Sequence, residues 1–312
     1  MRLVFCGTPE FAVPTLEALL DRGHDVALVL TQPDRPAGRR MELQQSAVKR
    51  AALARGLRVL QPEKIRRNEE LRSELESIRP DAIIVVAYGR IIPDWMLTLP
   101  RFGNINLHGS LLPRYRGAAP IQWAVANGET ETGVTTMRLD AGLDTGDVLL
   151  ESRIAIGPDT TASELYPQLA SVGANLILDT LDGLERGAIT PRPQDHSQAT
   201  LAPILTREDG RMDLKKKSAR EAYNRWRGFS PWPGAYAGFR GKRFLVHRMH
   251  PAAQSDVKLA PEELALRGGE LLAGAADGTA LVLDEVQVEG KARMSGAQFA
   301  KDFQLRPGER LA

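Results

Sequence analysis

Asn106 and His108 stand two residues apart in Asn104-Ile-Asn-Leu-His-Gly109, a short run that reads as a strand. That spacing turns both side chains to one face. The run stops at Gly109, and in open α/β sheets ligands gather outside the carboxyl ends of the strands. A histidine there can carry a proton near neutral pH. An asparagine amide beside it can donate to an oxygen that gains charge as a carbonyl carbon turns tetrahedral. Alone, such a pair serves structure more often than chemistry. Two neighbouring segments shift the balance. Ser110-Leu-Leu-Pro-Arg-Tyr-Arg-Gly-Ala-Ala-Pro120 comes next as a loop, in which Leu111 and Leu112 either bury into the core or line a pocket for a flat apolar ligand. Leu139-Asp-Ala-Gly-Leu-Asp-Thr-Gly-Asp147 joins two expected strands as either an acidic turn or an active-site loop. Its acids lack the alternating positions and distal Glu of a calcium loop, which argues against a metal. Placed beside His108, Asp144 would orient the imidazole and stabilise its charged form.

The elements that must hold these residues emerge from period and punctuation. Strands are predicted at 2–6, 25–31, 57–61, 82–87, 104–107, 133–139 and 146–156, alternating with helical patterns. The first helix is expected to start with Thr8 as N-cap and Pro9 at its first position, carrying Phe11, Leu16, Leu19 and Leu20 inward. Further helices are expected at 46–55, 68–78 and 161–186, the last as one helix or two. This is the pattern of an α/β fold: a Rossmann-like, mostly parallel sheet with helices on both faces. Residues 190–202 are rich in Pro, Gln, Ser and Thr without period and read as a linker. A helix at 218–226 then leads into Gly-punctuated strands at 235–239, 243–249, 269–275 and 280–287, the signature of a small, OB-like β-barrel. The expected division is 1–189, a linker at 190–208, and 209–312.

The chain has 312 residues, 43% apolar and 26% charged, as ordinary two-domain globular proteins do. Its longest clean apolar stretch, 82–87, falls far short of the ~20 residues of a membrane span. The run 3–6 is too short for a signal peptide, and Pro9 and Pro14 interrupt the residues after it. One cysteine, Cys6, allows no internal disulfide and no thiolate pair for zinc. A cytoplasmic location fits these features. Net charge is +2, yet 207–248 carries twelve Lys or Arg against four acids, and 249–290 two against eight. Such a basic patch is either a polyanion site or a solvated face.

Almost end to end, the chain resembles the methionyl-tRNA formyltransferase family. The resemblance rests on Phe5-Cys-Gly-Thr-Pro-Glu-Phe11, Gln32-Pro-Asp-Arg-Pro-Ala-Gly-Arg39, Asn106-Leu-His-Gly-Ser-Leu-Leu-Pro113, Gly142-Leu-Asp-Thr-Gly146 and Ser230-Pro-Trp-Pro-Gly-Ala235. Asn-x-His with a distal Asp is shared by the enzymes that use 10-formyltetrahydrofolate. The arginine-bearing loop and the second domain narrow the resemblance to the tRNA enzyme.

The resemblance implies 10-formyltetrahydrofolate as formyl donor and the α-amine of initiator methionyl-tRNA as acceptor. Asn106 and His108 would stabilise the oxyanion, and Asp144 would hold His108 and help remove the amine proton. Ser110, Leu111, Leu112 and Pro113 would line the folate site, with the main chain from Val86 to Tyr88 nearby. Gly-x-Gly-x-x-Gly is absent, which argues against NAD. The connection from Gln32 to Gln45 is long for a βα unit, and its Arg35, Arg39 and Arg40 would meet the acceptor arm. Candidates for phosphate contact in the second domain are Lys215, Lys216, Lys217 and Arg243, with Arg220, Arg225, Arg227, Arg240 and Lys242. Trp226 and Trp232 either stack on bases or pack between helix and barrel. A monomer is expected. Glu42, Ile204, Leu214 and Ser230 depart from residues frequent in the family; they bear on tRNA contact and spare the catalytic trio. Rival readings are a formyltransferase for a small amine, such as an amino sugar, and a non-catalytic tRNA-binding protein.

Overall fold

Seven runs of the first half pair into one sheet: Arg2–Gly7 (β1), Asp25–Leu30 (β2), Val59–Leu60 (β3), Ala82–Val86 (β4), Asn104–His108 (β5), Glu131–Arg138 (β6) and Val148–Ala155 (β7). The computed structural model describes residues 1–37, 42–253 and 258–312. Contacts divide the chain into two units. The first is Met1–Pro120, Glu131–Ala155 and Leu165–Pro203; the second is Ile121–Thr130, Ile156–Glu164 and Ile204–Ala312. Strand order in the first unit is β7-β6-β5-β4-β1-β2-β3. Pairings from β5 through β3 are parallel, and β6 and β7 join antiparallel. The chain runs outward from β1 to β3 and returns as β4 on the other side of β1, which opens a crevice at the carboxyl ends.

β1 and β4 are continuous apolar runs because both sheet faces are covered. Val4, Cys6, Leu28, Leu30, Ile83 and Val85 pack against Leu71, Leu75 and Ile78 of the helix Glu69–Ile78. Burial pushes the Cys6 thiol far up, so it behaves as a small hydrophobe. The opposite face meets the helix Ala162–Glu185, a single helix with Pro167 inside it. There Thr136 of β6 and Thr180 share a 2.8 Å hydrogen bond. Gly173 lets the helix approach closely at this crossing, where a Cβ would press on the Leu107 side chain.

Four local expectations need correction. Thr8 is not an N-cap: a 3-10 turn, Glu10–Ala12, precedes the helix Val13–Asp21. The Thr8 hydroxyl instead donates to the Tyr88 carbonyl (3.0 Å), tying the exit of β1 to that of β4. Leu20 is only partly buried, and β3 shrinks to two residues at the sheet edge. The stretch read as a linker is bonded into the first unit. Arg192 and Val148 exchange backbone bonds of 2.8 and 2.9 Å, and Leu201–Ala202 pairs in parallel with Arg116–Gly117. Its polar composition hid this, because bonds between irregular segments leave no periodicity.

In the second unit, Ala235–Phe239, Lys242–Pro251, Ala280–Val288, Glu270–Gly274 and Leu264–Arg267 form an antiparallel sheet in that order. The last four residues bridge its two edges. Gly238 and Ala312 exchange bonds of 2.6 and 2.9 Å, and Leu264 donates to Glu309 at 2.8 Å. Phe239, Phe244 and Phe299 fill the interior, with ring centroids 5.0–6.1 Å apart. The helix Ala219–Phe229 is capped by Ser218, reciprocally with Glu221.

Candidate active site in the first unit

β5 pairs with β4 on one side and β6 on the other, and all five of its residues are buried. Ile105 and Leu107 face one way; Asn104, Asn106 and His108 face the other. Asn104 is structural, its amide donating to the carbonyls of Met96 (2.8 Å) and Leu97 (3.2 Å). Among the described residues nothing hydrogen-bonds the Asn106 amide, so its donors remain for a ligand. His108 is 5% exposed. Its Nε2 lies 2.9 Å from the Tyr115 carbonyl oxygen. A carbonyl only accepts, so Nε2 carries the hydrogen, and Nδ1 is the nitrogen left to gain or release a proton. Nδ1 faces Asp144 Oδ2 at 3.6 Å, too long for a hydrogen bond and short enough for an ion pair once the ring takes up a proton.

Asp144 reaches this position from a strained turn. Its φ is 52°, in the left-handed region. Before it, Asp140 Oδ1 accepts from the Gly142 N–H (3.0 Å) and the Thr145 hydroxyl (2.7 Å). After it, Gly146 lies so close to the Arg138 carbonyl that no Cβ fits. The Asp144 carboxylate also accepts from the Gly117 N–H at 2.8 Å. The acidic loop is therefore built to aim one carboxylate at His108.

The loop after β5 is fixed from below. Thr135 of β6 donates to the Ser110 carbonyl (2.7 Å) and accepts from the Leu112 N–H (3.2 Å), while Ser110 donates to the Arg114 carbonyl (2.6 Å). Leu112 joins Met137 and Val148 in a small core, and Leu111 lies against Gly133. Leu112 is packed into the sheet and Leu111 is half-buried, so this stretch presents main chain, Pro113 and part of Leu111 rather than an open apolar wall. Val86 is buried, and the Tyr88 ring sinks into the core, where burial pushes its pKa far up and its hydroxyl lacks a partner among the described residues. The Tyr88 carbonyl already accepts from Thr8 and Gln32. Ala87 (φ 46°) before Tyr88 and Gly89 (φ 76°) after it are exposed at the rim.

The same rim holds a cleft of about 360 Å³ lined by Glu63, Lys64, Ile65, Arg66, Arg67, Arg90 and Ile91. Arg90 is anchored by Gln32 Oε1 (3.1 Å) and the Glu63 carbonyl (2.6 Å). No local pattern signals this cleft, since its cations come from segments more than twenty residues apart. No group of His, Cys, Asp or Glu able to hold a metal occurs among the described residues.

Residues 1–181 match the formyl transferase family model and 204–304 the formyl transferase C-terminal domain model. The protein of Acidobacterium capsulatum named methionyl-tRNA formyltransferase is 61% identical over 311 residues, covering 100% of this chain and 99% of that one. The chain belongs to the methionyl-tRNA formyltransferase family. Relatives of the same name from Koribacter versatilis and Geobacter sulfurreducens are 57% and 46% identical, each over 100% of this chain and 98% and 96% of their own. Among solved structures, the Helicobacter canadensis N-formyltransferase in complex with folinic acid and dTDP-3-aminofucose shares the fold. Its TM-score is 0.67 at 19% identity, over 91% of this chain and 98% of that one. HypX from Aquifex aeolicus, in complex with tetrahydrofolic acid, gives 0.63 at 21% identity, over 99% of this chain and 48% of that longer one.

The family's expected tRNA contacts fare unevenly. Arg35 is exposed in a hairpin, where Arg35–Ala37 pairs with Glu42–Gln44. Arg39 and Arg40 lie outside the described residues. Lys215 is paired with Glu262 at 2.9 Å, and the Arg243 guanidinium lies 3.9 Å over the Tyr236 ring. Lys216 is 83% exposed, with Asp213 at 3.7 Å, and Lys217 has no ion pair among the described residues. Arg227 is buried against the carbonyls of Gly157 and Thr160, and Arg240 is held by Glu309. Trp232 is 55% exposed, whereas Trp226 stacks on Tyr223 at 5.6 Å.

Proposed function

We propose that Asn106, His108 and Asp144 carry the transfer of a formyl group from 10-formyltetrahydrofolate to the α-amine of initiator methionyl-tRNA. Formyl transfer is the activity of the family. The observation that carries the assignment to these residues is the meeting of His108 Nδ1 and Asp144 at 3.6 Å beside the uncommitted Asn106 amide. As the amine attacks, the formyl oxygen gains charge and Asn106 donates to it. The new C–N bond forms as the bond to the folate nitrogen breaks. The amine gives up a proton, for which Nδ1 of His108 and the Asp144 carboxylate are the acceptors at hand, and the folate nitrogen gains one.

Folate carries carboxylates, and the Lys64, Arg66, Arg67 and Arg90 cleft supplies cations for them at the same rim. The strand ends from β5 to β3 span roughly 19–20 Å at the usual strand spacing, which suits an elongated donor. Its head would lie along the main chain at Ala87–Gly89 and Ser110–Pro113. Arg35, Arg39 and Arg40 would meet the acceptor arm, and Lys216 and Lys217 its phosphates. No helix among the described residues is long and apolar enough to cross a membrane, and a buried lone Cys6 suits the cytoplasm.

The test is acceptor choice. With labelled 10-formyltetrahydrofolate, label should appear on initiator methionyl-tRNA, weakly on elongator methionyl-tRNA, and not on a nucleotide-linked amino sugar. Label on the sugar alone overturns the acceptor assignment.

A further inference from the structure

We infer that Gln194 and Arg116 are positioning residues for Asp144, closing a ring of hydrogen bonds that fixes both ends of that residue. The inference rests on the catalytic role proposed for Asp144. The Gln194 side chain is buried, and its amide is used to capacity. Nε2 donates to the carbonyls of Asp144 (2.9 Å) and Gly146 (2.7 Å). Oε1 accepts from Arg116 Nε (3.1 Å) and Nη2 (2.6 Å). An amide has two donor hydrogens and two lone pairs at oxygen, and all four are engaged here.

The ring closes through the backbone. Arg116 holds Gln194 with its side chain, while the next residue, Gly117, holds the Asp144 carboxylate with its N–H at 2.8 Å. Asp144 is thus clamped at its carbonyl by Gln194 and at its carboxylate by Gly117. Those two clamps hold a left-handed φ of 52°, a conformation an aspartate leaves readily when unsupported. Arg116 is only 7% exposed, and no carboxylate pairs with it among the described residues. Its second partner is His196 Nδ1 at 3.0 Å, which must accept. A buried guanidinium given to an amide and an imidazole is a poor arrangement for stability alone, where a carboxylate would serve better. It makes sense if the amide's other end is what matters, since only an amide accepts from arginine while donating to two carbonyls.

The decisive variant is Gln194→Glu, which keeps size, burial and an acceptor for Arg116 but loses both donors. Steady-state kinetics should show kcat falling on the order of 10², with KM for 10-formyltetrahydrofolate within roughly twofold; the thermal midpoint falls as the Asp144 and Gly146 carbonyls lose their donor, offset in part by the new pair with Arg116. Gln194→Met, matched in length, should lose kcat likewise. Placed in an Asp144→Ala background, either change should add almost nothing, because Gln194 acts only through Asp144. Near-normal kcat in Gln194→Glu overturns the inference. So does a loss that multiplies fully with that of Asp144→Ala, which would mark Gln194 as general scaffolding. Near-normal turnover of Asp144→Ala by itself instead overturns the role of Asp144, and the inference with it.

Discussion

Asp144 is the residue on which the site turns, because geometry and charge are separable there. Asparagine tolerates its left-handed backbone and keeps the shape. Asp144→Asn should therefore stay folded while kcat falls by ~10²–10⁴, the usual worth of acid–base help. His108→Ala should fall as far. Asn106→Ala should lose ~10²–10³, as for one oxyanion donor. Single-turnover formylation with circular dichroism as the fold control reads all three, and near-normal turnover in His108→Ala would remove the proton-transfer role.

At the scale of elements, two loops position what the strands present. The Asp144 loop depends on Gly146, where any Cβ would meet the Arg138 carbonyl. Gly146→Ala should lower stability by about 1–3 kcal/mol, as overpacking does, and lower kcat with it; denaturant midpoint and turnover measured together check this. The arginine hairpin is held at its base by Asp34, which accepts from Lys49 (2.6 Å) and Gln61 (2.7 Å). The Lys49 ammonium, helped by the Gln61 amide, holds the Asp34 carboxyl below its ordinary range. A carboxylate with a depressed pKa keeps its contribution above the ordinary range and loses it only as pH falls through the lowered value. The anchor is thus intact at any neutral pH. Lys49→Met should release it, raising KM for tRNA several-fold without changing KM for the folate; equal changes in both would refute a role confined to the hairpin.

Over the whole molecule, charge along the sequence and charge free to bind are different quantities. Part of the excess of cations in 207–248 is engaged inside the second unit: Arg227 on carbonyls, Arg240 and Lys215 on carboxylates, Arg243 on a ring. Lys216→Gln and Lys217→Gln should each flatten the salt dependence of tRNA binding by about one unit of slope. Arg227→Gln should act differently. It leaves the Gly157 and Thr160 carbonyls short of a donor, at about 1–3 kcal/mol each, so it should lower the thermal midpoint with little change of slope. Filter binding between low and moderate salt distinguishes the two classes.

The sequence by itself determined the alternation of strand and helix, the pairing of Asn106 with His108 on one face, and the family. Those depend on side-chain period and local residue type, which a linear chain displays. It was silent wherever irregular segments meet across long separations. Gln194 sat in a stretch without period and turned out to hold the Asp144 loop, 50 residues away. Thr8 looked like a cap and became a tie between β1 and β4, 80 residues apart. Leu111 and Leu112 had the right apolar character for a ligand wall, yet Leu112 is packed into the core and Leu111 lies against Gly133 of the sheet. Tertiary structure decided these points because a hydrogen bond or a buried ring depends on which distant group arrives beside it, and no local pattern encodes that arrival.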